Sequence, residues 1–147
     1  MKYCEAKLGR VFVVRLEQDE ILHEVIEKFA SDKKINAATC IALGAADKGS
    51  RFVVGPEDGD ARPVVPMEYL LREAHEIAGT GTIFPDEEGR PMLHMHLATG
   101  RQGSTITGCV RKGVKVWQII EVIIFELLDT EALRKKSEPL GFHVLEP

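Results

Sequence analysis

No apolar stretch in this sequence approaches the roughly 18 uninterrupted residues that a membrane-spanning helix requires. Basic residues are not in excess either. Nineteen Lys and Arg against 23 Asp and Glu leave a formal net charge of -4. A generally basic nucleic-acid binder is thereby excluded, and any phosphate-binding face must be local. Cysteine is scarce: Cys4, Cys40 and Cys109 are an odd number without close spacing. That argues against a disulfide framework and makes reduced thiols the expectation. Internal repeats and low-complexity stretches are also missing. Glu5 and Lys7 interrupt Met1–Arg10, which therefore lacks a signal-peptide core, and the expected location is cytoplasmic.

What remains is the composition of an ordinary globule, 147 residues with 44% hydrophobic and 29% charged side chains. That length suits a single domain, 1–147, around one core. Arg10–Leu16 is dense in β-branched residues and reads as a strand. Asp19 offers an N-cap for a helix running to about Lys34. Its apolar residues Ile21, Leu22, Val25, Ile26, Phe29 and Ala30 form one continuous face at helical period. His23 lies beside that stripe and reads as a half-exposed helix residue. Ile35–Ala46 reads as a buried strand, with Cys40 a small core hydrophobe.

Ser50–Gly55 is a short strand, and Pro56–Pro66 is the clearest loop. From Met67 onward strands dominate: Tyr69–Leu71, His75–Phe84, Met92–Ala98, Ser104–Val110 and a long, bulged Val114–Leu128. Asp129–Lys136 suggests a short capped helix and Gly141–Leu145 a last strand. Hairpin-sized connections after Met67 imply antiparallel pairing. The fold class is α+β: a mostly antiparallel sheet with one main helix packed on it.

The chemistry concentrates in Met92–Val110. His94 and His96 are two apart, so a strand presents both imidazoles on one face, roughly 7 Å apart along the chain. If Gly100–Gly103 makes the turn, Thr99 pairs with Ser104. His94 then lies opposite Cys109 and His96 opposite Thr107. Opposed residues share a face, so Cys109 completes an N,N,S set with the two histidines, whereas a one-residue slip removes it. Two imidazoles and a thiolate suit zinc or another divalent transition metal, with a fourth position open. Met95 has the opposite parity and belongs to the core. Trp117 is expected in the core or at a subunit contact, and His75 and His143 have no partner in sequence.

The same residues carry a resemblance. A strand–helix opening is followed by Ile41–Gly44, by Glu76–Ile83 (EIAGTGTI), by the H-x-H strand and a glycine turn, and by Thr107–Gly113 (TGCVRKG). In this order they resemble the plants-and-prokaryotes-conserved (PPC) domain family, also found in plant AT-hook nuclear-localised proteins. The family pattern is H-x-H, then G-G-H-L and a later glycine. Here Thr107 replaces the first glycine of the pair and Cys109 stands where a third histidine belongs. The resemblance implies a homotrimer with the histidine cluster near subunit contacts, and prokaryotic members are regarded as DNA-binding by similarity. The chain has no Arg-Gly-Arg-Pro hook; Glu88–Met92 (EGRPM) is a turn with acidic neighbours.

Two classes of function follow. One is a DNA-associated regulatory homotrimer whose phosphate contacts come from Arg111, Lys112 and Lys115, with a second basic run at Arg134–Lys136. The other is a small zinc-dependent metalloenzyme, or a metal or ligand sensor, acting on an unknown small molecule. In that reading Glu76 and Glu121, carboxylates inside otherwise apolar strands, are the acid/base candidates. Enzyme and sensor need the same open coordination position, so the residues leave that choice undecided.

Overall fold

Alternation of apolar and polar residues gives a sheet one buried and one exposed face, and that pattern recurs along most of this chain. The computed structural model describes residues 1–147. Its elements are β1 (Lys7–Glu17), α1 (Leu22–Asp32), β2 (Ala38–Ala46), β3 (Arg51–Pro56), β4 (Pro66–Leu70), β5 (His75–Pro85), β6 (Pro91–Arg101), β7 (Ser104–Cys109), β8 (Val116–Leu128), β9 (Leu133–Ser137) and β10 (Phe142–Glu146). Eight strands form one sheet in the order β1-β8-β2-β5-β6-β7-β3-β4, and β9 and β10 make a separate hairpin. Every strand pair in both is antiparallel. The expected α+β class is what the chain adopts.

Helix α1 buries Leu22, Ile26 and Ala30, one residue per turn along a single stripe. With Cys40, Ala42, Met95, Leu97, Ile120, Val122 and Ile124 they belong to one core on the helix side of the sheet. Met95 is fully buried, as its parity requires.

Two local expectations are corrected. The helix begins three residues after Asp19, which sits in a turn at φ 70°. Its N-cap is Ile21, with no side-chain cap. The first helical amide, Leu22 N–H, donates instead to Val114 O at 2.9 Å, so the backbone just ahead of β8 replaces the polar cap. The segment expected as a helix near Asp129–Lys136 contains β9, which pairs from Leu133 to Ser137 with β10. Gly141, at φ 78°, makes the intervening turn feasible.

Strand β8 has the expected irregularity: Gln118 lies at φ 60° and the pairing with β2 shifts between Gly44 and Ala46. Opposite the core, Val13, Ile41, Leu43 and Ile119 are large apolar residues left exposed.

Candidate metal centre

Strand β6 turns into β7 through Gln102 and Gly103, both at positive φ, because Arg101 pairs with Ser104. This two-residue turn is tighter than the Gly100–Gly103 turn expected from sequence, and it moves the register by two. His96, rather than His94, therefore lies opposite Cys109. A shift of two preserves the face on which each side chain stands, so the three residues still converge. Their ligand atoms all lie within 4.8 Å of one another. The two histidine Nε2 atoms are 3.1 Å apart. Tetrahedral zinc with ordinary Zn–N and Zn–S bonds sets its ligand atoms roughly 3.3–3.6 Å from each other. The cluster thus suits such an ion by donor type and by approximate spacing.

Close backbone approach holds β6 in place. A Cβ on Gly79 of β5 would collide with the His96 carbonyl, and one on Gly81 would lie 2.7 Å from Met95 Cβ and 3.0 Å from the His94 carbonyl. The glycines of the Gly79-Thr80-Gly81 run let β5 press against the histidine strand. On the other side β7 ends at Cys109, opposite His96, so the beginning of β6 lacks a strand neighbour there. Glu27 of α1 fills part of the gap, its carboxylate accepting the Leu93 N–H at 2.8 Å.

The three candidate ligands line a cleft of about 610 Å³ together with Val53, Arg62, Arg111, Lys112, Phe142 and His143. Cys109 is buried, His94 is partly exposed and His96 is exposed. Arg111 Nε donates to Cys109 Sγ at 3.1 Å. Burial, followed by the positive charges of Arg134 and Arg111, holds the His94 imidazole below its ordinary pKa. All three causes favour the neutral ring, the form that binds a metal.

The other residues singled out in the sequence scatter. Glu76 pairs with Gly100 on β6, four positions or roughly 13 Å along the strand from the partner of His96. It lines a separate cavity with Trp117, Arg101 and His75. Trp117 is not a core residue; it is 39% exposed. Glu121 is exposed on β8, three strands or roughly 14 Å across the sheet from β6. Neither carboxylate lines the cleft. Arg111 and Lys112 do line it, but Lys112 pairs with Glu68 and Lys115 pairs with Asp19 and Asp47. Arg134 is 4% exposed and separates from the surface run Lys135–Lys136. His143 and His23, given no functional role from sequence, both reach the region. His143 enters through the β9–β10 hairpin, a long-range packing that local pattern does not encode.

Comparison with known proteins shows the family and the fold. The family model described as the Plants and Prokaryotes Conserved (PCC) domain matches residues 3–128. A metal-containing protein from Archaeoglobus fulgidus superposes with a TM-score of 0.86 at 24% identity, over 100% of both chains. A plant- and prokaryote-conserved (PPC) protein from Pyrococcus horikoshii gives 0.84 at 21% identity, over 100% of this chain and 98% of that one. A protein from Bacteroides thetaiotaomicron whose proposed role is DNA binding gives 0.74 at 17% identity, over 96% of each. No match to a curated protein is found.

Proposed function

Because the chain belongs to the Plants and Prokaryotes Conserved domain family, whose fold it adopts in full, we propose that it is a homotrimeric metalloprotein. Its ion is held by His94, His96 and Cys109, and its open coordination position serves a small molecule in the cleft. The observation that carries this reading is the convergence of two imidazoles and a thiol within 4.8 Å on the wall of a roughly 610 Å³ cavity. The description of the Archaeoglobus relative as metal-containing supports it. Zinc fits the donor set best, and three protein ligands are the usual complement of a catalytic zinc. Held there, zinc supplies Lewis acidity toward whatever enters the cleft. The chain itself fixes the ligand strand through Gly79 and Gly81, favours the neutral form of His94, and directs the Arg111 N–H at the sulfur. Glu76 and Glu121 lie too far away to hold a proton at this centre.

Elemental analysis of untagged protein, reconstituted with zinc and dialysed, tests the proposal. One tightly held ion per chain is expected, lost in His96→Ala and Cys109→Ser variants that keep the wild-type circular dichroism. Absence of stoichiometric metal in the reconstituted wild type overturns it.

A second reading, direct DNA association, is favoured by the role proposed for the Bacteroides relative. It draws on Arg111 and Lys112 in this chain. Under that reading, duplex affinity falls steeply as salt rises; no binding at low salt dismisses it.

A further inference from the structure

Beside the metal centre, where β7 leaves the beginning of β6 uncovered, a second cavity of about 270 Å³ opens between α1, β6 and the β9–β10 hairpin. Arg111, Arg134, His94, His143, His23 and Glu27 are among its lining residues. Two of these carry charges that no carboxylate of the chain neutralises, Arg111 reaching only the Cys109 sulfur at 3.1 Å. None of the chain's ion pairs involves Arg111 or Arg134. Arg134 is more than nine-tenths buried and spends its hydrogen bonds on neutral oxygens. Its Nη2 donates to Thr82 Oγ1 at 2.8 Å and to the Thr82 carbonyl at 3.5 Å, and its Nε to the Met92 carbonyl at 3.4 Å, which leaves Nη1 free to meet a ligand. Thr82 is the residue opposite His94, so this guanidinium sits directly beside the candidate ligand.

Glu27, the single carboxylate in the lining, accepts the Leu93 amide and forms an ion pair with neither arginine. The buried Nδ1 of His23 has no hydrogen-bond partner either. A buried guanidinium without a counter-charge is costly. A divalent ion with one thiolate leaves a further unit of positive charge in the same place. Two positive charges therefore face a cavity of small-molecule size, a bound ion would add a third, and the missing component is an anion.

We infer that this cavity is a subsite for the oxyanion group, carboxylate or phosphate, of a small organic ligand, held by Arg111 and Arg134. The inference deepens the proposed function by naming the substrate or effector class: a small anion whose remaining part reaches the metal. Planar guanidinium forks match both carboxylate and phosphate oxygens. The cavity is enclosed on three sides by helix, strand and hairpin, a shape that admits a small molecule.

The test is calorimetric titration of metal-free full-length protein with malonate, with inorganic phosphate and with a short DNA duplex, in separate arms. Saturable binding of malonate, phosphate or both is expected. The anion that binds more tightly identifies the source of the oxyanion group. Arg111→Met, on an exposed residue, is expected to weaken binding at least tenfold with unchanged circular dichroism. Arg134→Met should do the same, and if it fails to fold, Arg111→Met decides alone. Lys48→Met, an exposed cation remote from the cavity, is expected to bind like the wild type. The inference is overturned if neither small anion binds at millimolar concentration, if duplex alone binds, or if Arg111→Met matches wild type or is matched by Lys48→Met. Metal content measured on the same preparations keeps the two ideas separable. Anion binding without metal uptake after reconstitution sinks the metalloprotein reading alone, and metal uptake without anion binding sinks this one alone.

Discussion

Glu126 stands on the core side of β8 with 5% of its surface exposed, and Arg10 meets it with a forked contact. Arg10 Nη2 reaches Oε1 at 2.6 Å and Nε reaches Oε2 at 2.7 Å, while the Arg10 amide adds a third bond at 3.1 Å. These donors, the side chain foremost, hold the carboxyl below its ordinary pKa against the opposing effect of burial. A depressed carboxylate contributes stability that is full above its unfolded value of about 4.5 and is lost as pH falls through the folded one. Glu126→Gln should therefore lower unfolding stability by about 1–3 kcal/mol at neutral pH. It should also flatten the loss on acidification below pH 4.5. Urea titrations at pH 7 and pH 4 check both. The candidate ligands show how residue-scale reading succeeds and fails. Parity alone puts His94, His96 and Cys109 on one face, and parity is legible because apolar alternation fixes it. Which histidine opposes Cys109 depends on whether the turn holds two residues or four. His143 is illegible as a site residue and Arg134 is legible only as part of a surface basic run, since a separate hairpin delivers both.

The elements around β6 act as a clamp whose tightness is set by β5. Gly79 cannot accept a methyl group without displacing the His96 carbonyl. Gly79→Ala should destabilise the fold by about 2–3 kcal/mol, at the upper end of ordinary overpacking. It should also weaken metal retention more than an equally destabilising core truncation elsewhere. Thermal melts paired with zinc-competition titrations measure the two effects. Strands β1, β5, β6 and β8 were legible because they are long and rich in alternating or β-branched residues. The N-terminus of α1 was not, because its first amide is satisfied by Val114 across the fold and Asp19 never caps it. Strand β9 escapes local pattern for a related reason: Asp129–Lys136 has local helical character, yet pairing with β10 decides its conformation. Glu76 and Glu121 fail as site residues because sheet order, absent from any local pattern, separates their positions from β6.

Across the whole sheet, one row of paired residues runs Val13, Ile123, Ile41, Thr80, His96, Cys109 and Val53. Paired residues share a face, so the candidate ligands and the uncovered apolar residues Val13 and Ile41 stand on the same side of the molecule. An exposed apolar face of this kind marks an association surface. In the proposed trimer a neighbouring subunit covers it and walls the cleft. Ile41→Glu and Val13→Glu together should convert the trimer to monomer, read by light scattering, without loss of secondary structure. A wild type that is itself monomeric at micromolar concentration removes the trimer from the proposal. The two-residue turn at Gln102–Gly103 has a consequence for how this lineage can vary. Most changes of residue type along β7 leave the alternation intact. One residue inserted into the strand between Ser104 and Cys109, and absorbed in register, turns the thiol toward the core and abolishes the centre. Two inserted residues restore its side. Along this hairpin, natural variation should therefore be permissive in residue identity and strict in odd changes of length.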